Sequence, residues 1–244
     1  TPTVGITWGI SAANAEPTCE ITASTPNTNY NSSVSGATSY NWTLSNGAAG
    51  TISSTGDMNW TTGFSGTVQI RVEANGCNGP SAQVVRNVSI TATVANTAGV
   101  TAANAEPACE ITASTPNTNY NAGATNATSY SWSLSDNSAG VISVTGDMNW
   151  ATGYSGTVDV RVEANGCNGP SAQQTRTVVI NPLPNTPIVG AIIQPTCVLA
   201  TATVSLSGLP AGAWTLTRSP GGNSLGSGTT TMVSGLAAST TYSW

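Results

Sequence analysis

The chain repeats itself. Ala12-Ala13-Asn14-Ala15-Glu16-Pro17 returns as Ala102-Ala103-Asn104-Ala105-Glu106-Pro107, and the offset of 90 holds without a gap to Ile90 and Ile180. Such a unit is too long for a solenoid repeat and fits one small β-sandwich domain. Differences between the copies cluster at 32–36 against 122–126 and at 46–48 against 136–138. Short polar stretches that tolerate change read as surface loops.

Within the unit the apolar residues recur with period two. Tyr40, Trp42 and Leu44 share one face of Ala37–Leu44; Val68, Ile70, Val72 and Ala74 share one face of the next long run. Gln69, Arg71 and Glu73 fall on the other face, as in half-buried strands. Val88, Ile90 and Ala92 continue the pattern, and Asn46-Gly47, Asn75-Gly76 and Asn78-Gly79 supply turns. The expected fold class is all-β, with tandem immunoglobulin-like sandwiches in series. Expected boundaries are 1–94 for the first repeat (with a leading linker, 1–11) and 95–181 for the second. A Pro-rich linker follows at 182–190, then an incomplete third sandwich at 191–244. Arg86 shares parity with Val88 and Ile90, which places it at a sheet rim, paired with a carboxylate such as Glu20 or Glu73.

Composition narrows the function. Only 6% of the 244 residues are charged, the net charge is −5, and there is no His. All five cations are arginines, so the basic footprint of a nucleic-acid binder is missing. No apolar run approaches the roughly 18 residues that span a bilayer, and no membrane span is expected in this segment. Thr1-Pro2-Thr3 lacks the basic and apolar regions of a signal peptide, so export signals would lie outside the segment.

Cys19 and Cys77 recur as Cys109 and Cys167, each pair 58 residues apart. Cys19 opens the first strand-like run and Cys77 sits in the turn between the last two strands. Taken as neighbours at one end of a sandwich, they predict the disulfides Cys19–Cys77 and Cys109–Cys167, hence an oxidising compartment. Free thiols are the alternative. A zinc site is disfavoured without His or clustered cysteines, and no cofactor is expected. Trp42, Trp132, Trp60 and Trp150 read as core residues, with Met58 and Met148 on the faces of the latter two. The sequons at Asn31, Asn41, Asn59, Asn87 and Asn126 arise readily by chance in so Asn/Ser/Thr-rich a chain.

After Pro182-Leu183-Pro184, Pro195-Thr196-Cys197 echoes Pro107-Ala108-Cys109 in a different context. Leu236, Thr240 and Tyr242 have the spacing of a tyrosine corner, in which the Tyr opens the sixth strand of a sandwich. The remaining strands, and a partner for Cys197, would then lie beyond Trp244.

The run Ala37–Gly47, then Trp60, then Gly63-Phe64-Ser65-Gly66-Thr67-Val68 and Asn75-Gly76-Cys77, resembles PKD-like immunoglobulin-fold repeats. These occur in giant surface adhesins and gliding-motility proteins of Bacteroidetes, exported by the type IX secretion system. The resemblance covers 12–181. It implies secretion to the cell surface, a spacer or adhesive role, and neighbouring repeats of a longer parent chain as partners. It offers no catalytic residues. Three functions follow for comparison. A structural stalk or surface filament uses near-identical rigid units in series. A glycan-binding module, with surface glycans or other cells as partners, would use an exposed aromatic such as Trp8 or Tyr154. An enzyme would have to work without His, from Glu16, Glu20, Asp57 and Glu73, which form no motif. Asn14 and Glu16 are the candidates for calcium at a domain junction, although no acidic calcium loop is present.

Overall fold

The alternation seen in the sequence becomes two facing sheets in each repeat. The structure, a computed structural model, describes residues 4, 5 and 9–244; Trp8, a candidate ligand platform, lies outside the described residues. The first repeat contains β1 (Ser11–Ala12), β2 (Thr28–Asn31), β3 (Ala37–Leu44), β4 (Gly50–Ile52), β5 (Asp57–Trp60), β6 (Gly66–Gly76) and β7 (Val84–Ile90). One sheet has the order β1-β2-β5-β4 and the other β3-β6-β7. This is the seven-strand immunoglobulin arrangement of four strands against three.

The core forms where the inward faces meet. Trp42, Val68, Ile70, Val72, Val88 and Ile90 from one sheet pack on Tyr30, Met58 and Trp60 from the other. The Trp60 indole N–H is satisfied inside, donating to Thr28 Oγ1 at 3.0 Å, as a buried polar atom requires. Gly56 turns the chain into β5 at φ +87°, and a Cβ there would fall on the Tyr30 carbonyl. Only glycine fits that approach.

The second repeat reproduces the first. Its strands are β8 (Thr101–Ala102), β9 (Thr118–Asn121), β10 (Ala127–Leu134), β11 (Gly140–Ile142), β12 (Asp147–Trp150), β13 (Gly156–Gly166) and β14 (Gln174–Ile180). Its sheets are β11-β12-β9-β8 and β10-β13-β14. The loop differences are conservative in effect: Asn46 Oδ1 accepts from Ala48 N at 3.0 Å, and Asp136 Oδ1 from Ser138 N at 2.8 Å, capping the same short turn.

The two ends of a repeat are chemically distinct. Ser11 pairs with Asn31 and Ala37 with Gly76, which gathers the start of β1, the β2–β3 loop and the β6–β7 turn at the leading end. At the trailing end Cys19 bridges to Thr91 just past β7, and Ile21 N donates to Phe64 O at 3.1 Å.

The described residues divide into two compact units between Val179 and Ile180. The second unit holds β15 (Ile188–Ile193), β16 (Ala202–Ser207), β17 (Ala213–Arg218), β18 (Gly222–Ser227) and β19 (Thr230–Leu236), in sheets β15-β16-β19 and β17-β18. β15 starts inside the stretch read as linker. The tyrosine corner is formed: Tyr242 OH accepts from Ala237 N at 2.9 Å, and Arg218 lies 5.5 Å above the Tyr242 ring.

Candidate functional site at the junction between repeats

The cysteines pair differently from the sequence expectation. Cys19 is bonded to Cys167, with Cα atoms 5.2 Å apart, while Cys77, Cys109 and Cys197 carry exposed thiols. The expected bridges Cys19–Cys77 and Cys109–Cys167 are absent, and the topology gives the reason. Cys19 lies in the β1–β2 connection at the trailing end, not at the head of a strand; Cys77 follows β6 at the leading end. The seven residues of β7 separate those ends, roughly 20 Å at a strand's rise per residue. A disulfide needs Cα atoms within about 7 Å. Stacking the trailing end of one repeat on the leading end of the next brings Cys19 to Cys167 instead.

Around the bond the segment connecting the repeats is hydrogen-bonded into the second repeat. Val94 N donates to Cys167 O at 2.9 Å and Ala95 N to Thr125 O at 3.0 Å. Asn126 Nδ2 donates to Thr93 O at 3.2 Å, and Asn168 Nδ2 reaches both Glu20 O and Thr93 Oγ1 at 3.0 Å. Ala172 N donates to Asn96 Oδ1 at 3.0 Å. Val94 is buried against Gly166, where a Cβ would sit 2.9 Å from the Val94 Cβ. The junction thus combines a covalent bond, an apolar plug and satisfied backbone groups.

The acidic residues are taken up by the fold. Arg86 pairs with Glu16, not with Glu20 or Glu73: Nε to Oε1 is 2.8 Å and Nη2 to Oε2 2.7 Å. Arg176 holds Glu106 at the same two distances. These forks hold the Glu16 and Glu106 carboxyls below the ordinary carboxylate range, against a smaller opposing effect of burial. Burial beside those carboxylates pushes the Tyr30 and Tyr120 hydroxyls well up. Asp57 accepts from Thr55, Asn29 and Ser53, which lower its pKa in that order. Glu20 accepts from Thr93 N and Glu73 from Gln83. Asn14 bridges Asn27 O and Asn29 N. Asn14 and Glu16, the calcium candidates, are therefore engaged within the repeat by backbone hydrogen bonds and an ion pair, and no group of three or more metal-ligating side chains occurs among the described residues.

The aromatics of the repeats hold the fold. Trp42, Trp60, Trp150, Tyr30 and Tyr120 are buried. Trp132 is half-buried, and so is Tyr154, whose hydroxyl faces Asp136. Among the described residues the aromatic ring pair is Tyr242–Trp244 in the second unit, tilted by 32°, and not a flat platform on a repeat. No helix among the described residues is long and apolar enough to cross a membrane.

No family model matches the chain, and no curated protein matches it. Among solved structures it is similar to domains 1–6 of the surface layer protein SbsC at 15% identity, covering 96% of this chain and 39% of that one, TM-score 0.30. It is also similar to a C-terminal 282-residue fragment of intimin in complex with the intimin-binding domain of the translocated intimin receptor. There the identity is 14%, over 74% of this chain and 64% of that one, with a TM-score of 0.36. Immunoglobulin domains 1–5 of Sidekick-1 give 12% identity over 96% of this chain and 54% of theirs, TM-score 0.42. The chain thus spans between about two fifths and two thirds of the length of these structures.

Proposed function

We propose that this chain is a spacer region of a large secreted cell-surface adhesin or surface filament, its repeats at 1–94 and 95–181 acting as mechanical units in series. The observation that carries the reading is the junction. The Cys19–Cys167 bond and the Val94 plug tie neighbouring domains together, which suits a load-bearing stalk and has no evident use in a site for a small ligand. A disulfide also favours an oxidising, extracellular setting. The PKD-like resemblance supports a type IX-secreted surface protein of the Bacteroidetes kind, and neighbouring repeats as its principal partners.

Antibodies raised against the chain test the location, and a glycan array tests the role. The spacer reading expects labelling of intact source cells and no specific glycan bound. Labelling only after permeabilisation would overturn the surface assignment. Saturable binding of one glycan class would replace the spacer with a recognition module.

A further inference from the structure

The junction has a direction. Each repeat offers a trailing cysteine (Cys19, Cys109) and a leading one (Cys77, Cys167), and one bond, Cys19–Cys167, joins two repeats. Cys77 is left exposed at the leading end of the first repeat, in the position where Cys167 is bonded in the second. We propose that Cys77 is the receiving half of a repeat-to-repeat staple, bonding the Cys19-type thiol of a further copy of this repeat placed immediately ahead of the first.

The surroundings of Cys77 are already those of a junction. Gly5 N donates to Ser35 O at 3.2 Å, as Ala95 N does to Thr125 O at 3.0 Å. A Cβ on Gly76 would run into the Val4 side chain and the Gly36 carbonyl, just as one on Gly166 would meet Val94 and the Asn126 carbonyl. Gly36 and Asn126 share the left-handed conformation, at φ 81° and 63°. Val4 and Gly5 therefore lie on the first repeat as Val94 and Ala95 lie on the second. The sequence agrees: Thr1, Thr3 and Val4 stand 90 positions ahead of Thr91, Thr93 and Val94, and Asn78 ahead of Asn168. The β6–β7 turn differs between the two copies, with positive φ at Gly79 in the first and at Asn168 in the second. In the second repeat that residue's amide caps Glu20 O of the domain before it.

Bond formation needs an oxidant, here a low-molecular-weight disulfide such as oxidised glutathione. One protein thiolate attacks it, releasing one small thiol and leaving a mixed disulfide. The second protein thiolate then displaces the other small thiol. Two protein thiols give up two electrons and two protons, and one small disulfide becomes two thiols.

The test is a chain carrying an extra copy of residues 1–90 joined directly ahead of Thr1. The period of 90 makes Thr1 follow Ile90 as Thr91 does. The chain is refolded with oxidised and reduced glutathione, alkylated without reduction, and mapped by mass spectrometry. In the unextended chain Cys77 takes the label. In the extended chain the label at Cys77 is lost, and its peptide is linked to the added copy's Cys19. A Cys19→Ser change in the added copy restores labelling. The Cys19–Cys167 bond in the same molecules reports that the existing junction has folded. Cys77 labelled as fully as before, or linked to the Cys19 of its own repeat or to Cys109 of another molecule, would overturn the proposal. The inference rests on the spacer reading but fails separately: glycan binding would remove the spacer role and leave the staple, while a free Cys77 would do the reverse.

Discussion

Pulling the chain from its two ends in the presence and absence of a reductant turns the disulfide pairing into a length. Cys19 and Cys167 are separated by 148 residues in sequence and by 5.2 Å in space. While the bond holds, force passes across it, and nearly all of both repeats is shielded from extension even when they unfold. Reduction releases the whole enclosed segment. At about 3.3–3.6 Å per fully extended residue the gain is roughly 500 Å in a single step. The pairing Cys19–Cys77 with Cys109–Cys167 would enclose two loops of 58 residues each, releasing two steps of roughly 200 Å. Magnetic tweezers at a force that keeps the domains unfolded, with reductant flowed in, resolve these lengths. One redox-dependent step near 500 Å is expected. Two steps near 200 Å, or none, would refute the stapled junction. In chain-entropy terms, closing a loop of 148 residues restricts the unfolded state by about 5 kcal/mol. Reduction should therefore also lower the melting temperature of both repeats together.

Other outcomes follow from the interior. Trp42 is 7% exposed within the first core, so Trp42→Ala should cost about 3–5 kcal/mol, with the second repeat of the reduced protein melting as before in calorimetry. Gly56→Ala should destabilise the first repeat by at least ~1–2 kcal/mol from the left-handed backbone alone, with the collision against Tyr30 O adding to it. The Glu16 and Glu106 carboxyls titrate below their ordinary value because of Arg86 and Arg176. Their contribution is present above about pH 4.5, the unfolded value, and is lost as pH falls through the lower folded one. Melting temperature should fall on acidification through that window, and the paired change Glu16→Gln with Glu106→Gln should flatten the fall. An unchanged acid profile in the double variant would remove the ion pairs from the account.

The fold was largely legible because period-two alternation and the 90-residue repeat are local signals. Tyr40, Trp42 and Leu44 all turn inward or partly inward, and Val68, Ile70, Val72 and Ala74 are buried. The inward parity of Arg86 correctly signalled a carboxylate partner. Its identity was not legible, because Glu16 comes close only through the long β1–β2 connection. The disulfide failed for a related reason. Spacing within one repeat suggested an internal bridge, but β1 ends at Ala12, which leaves Cys19 in a loop at the opposite end from Cys77. The information lay in the tandem arrangement: a trailing cysteine in one unit and a leading cysteine in the next meet only when the units stack. Val94 and Asn168 carry no motif, and only docking against the neighbouring repeat gives them a role.

The pairing itself is directly readable, because the five arginines place every cysteine in a separate tryptic peptide. Cys19 falls in residues 1–71, Cys77 in 72–86, Cys109 in 87–161, Cys167 in 162–176 and Cys197 in 177–218. The oxidised protein, alkylated and digested without reduction, should yield 1–71 joined to 162–176, with labelled thiols on the other three peptides. Peptide 1–71 joined to 72–86, and 87–161 joined to 162–176, would contradict the account.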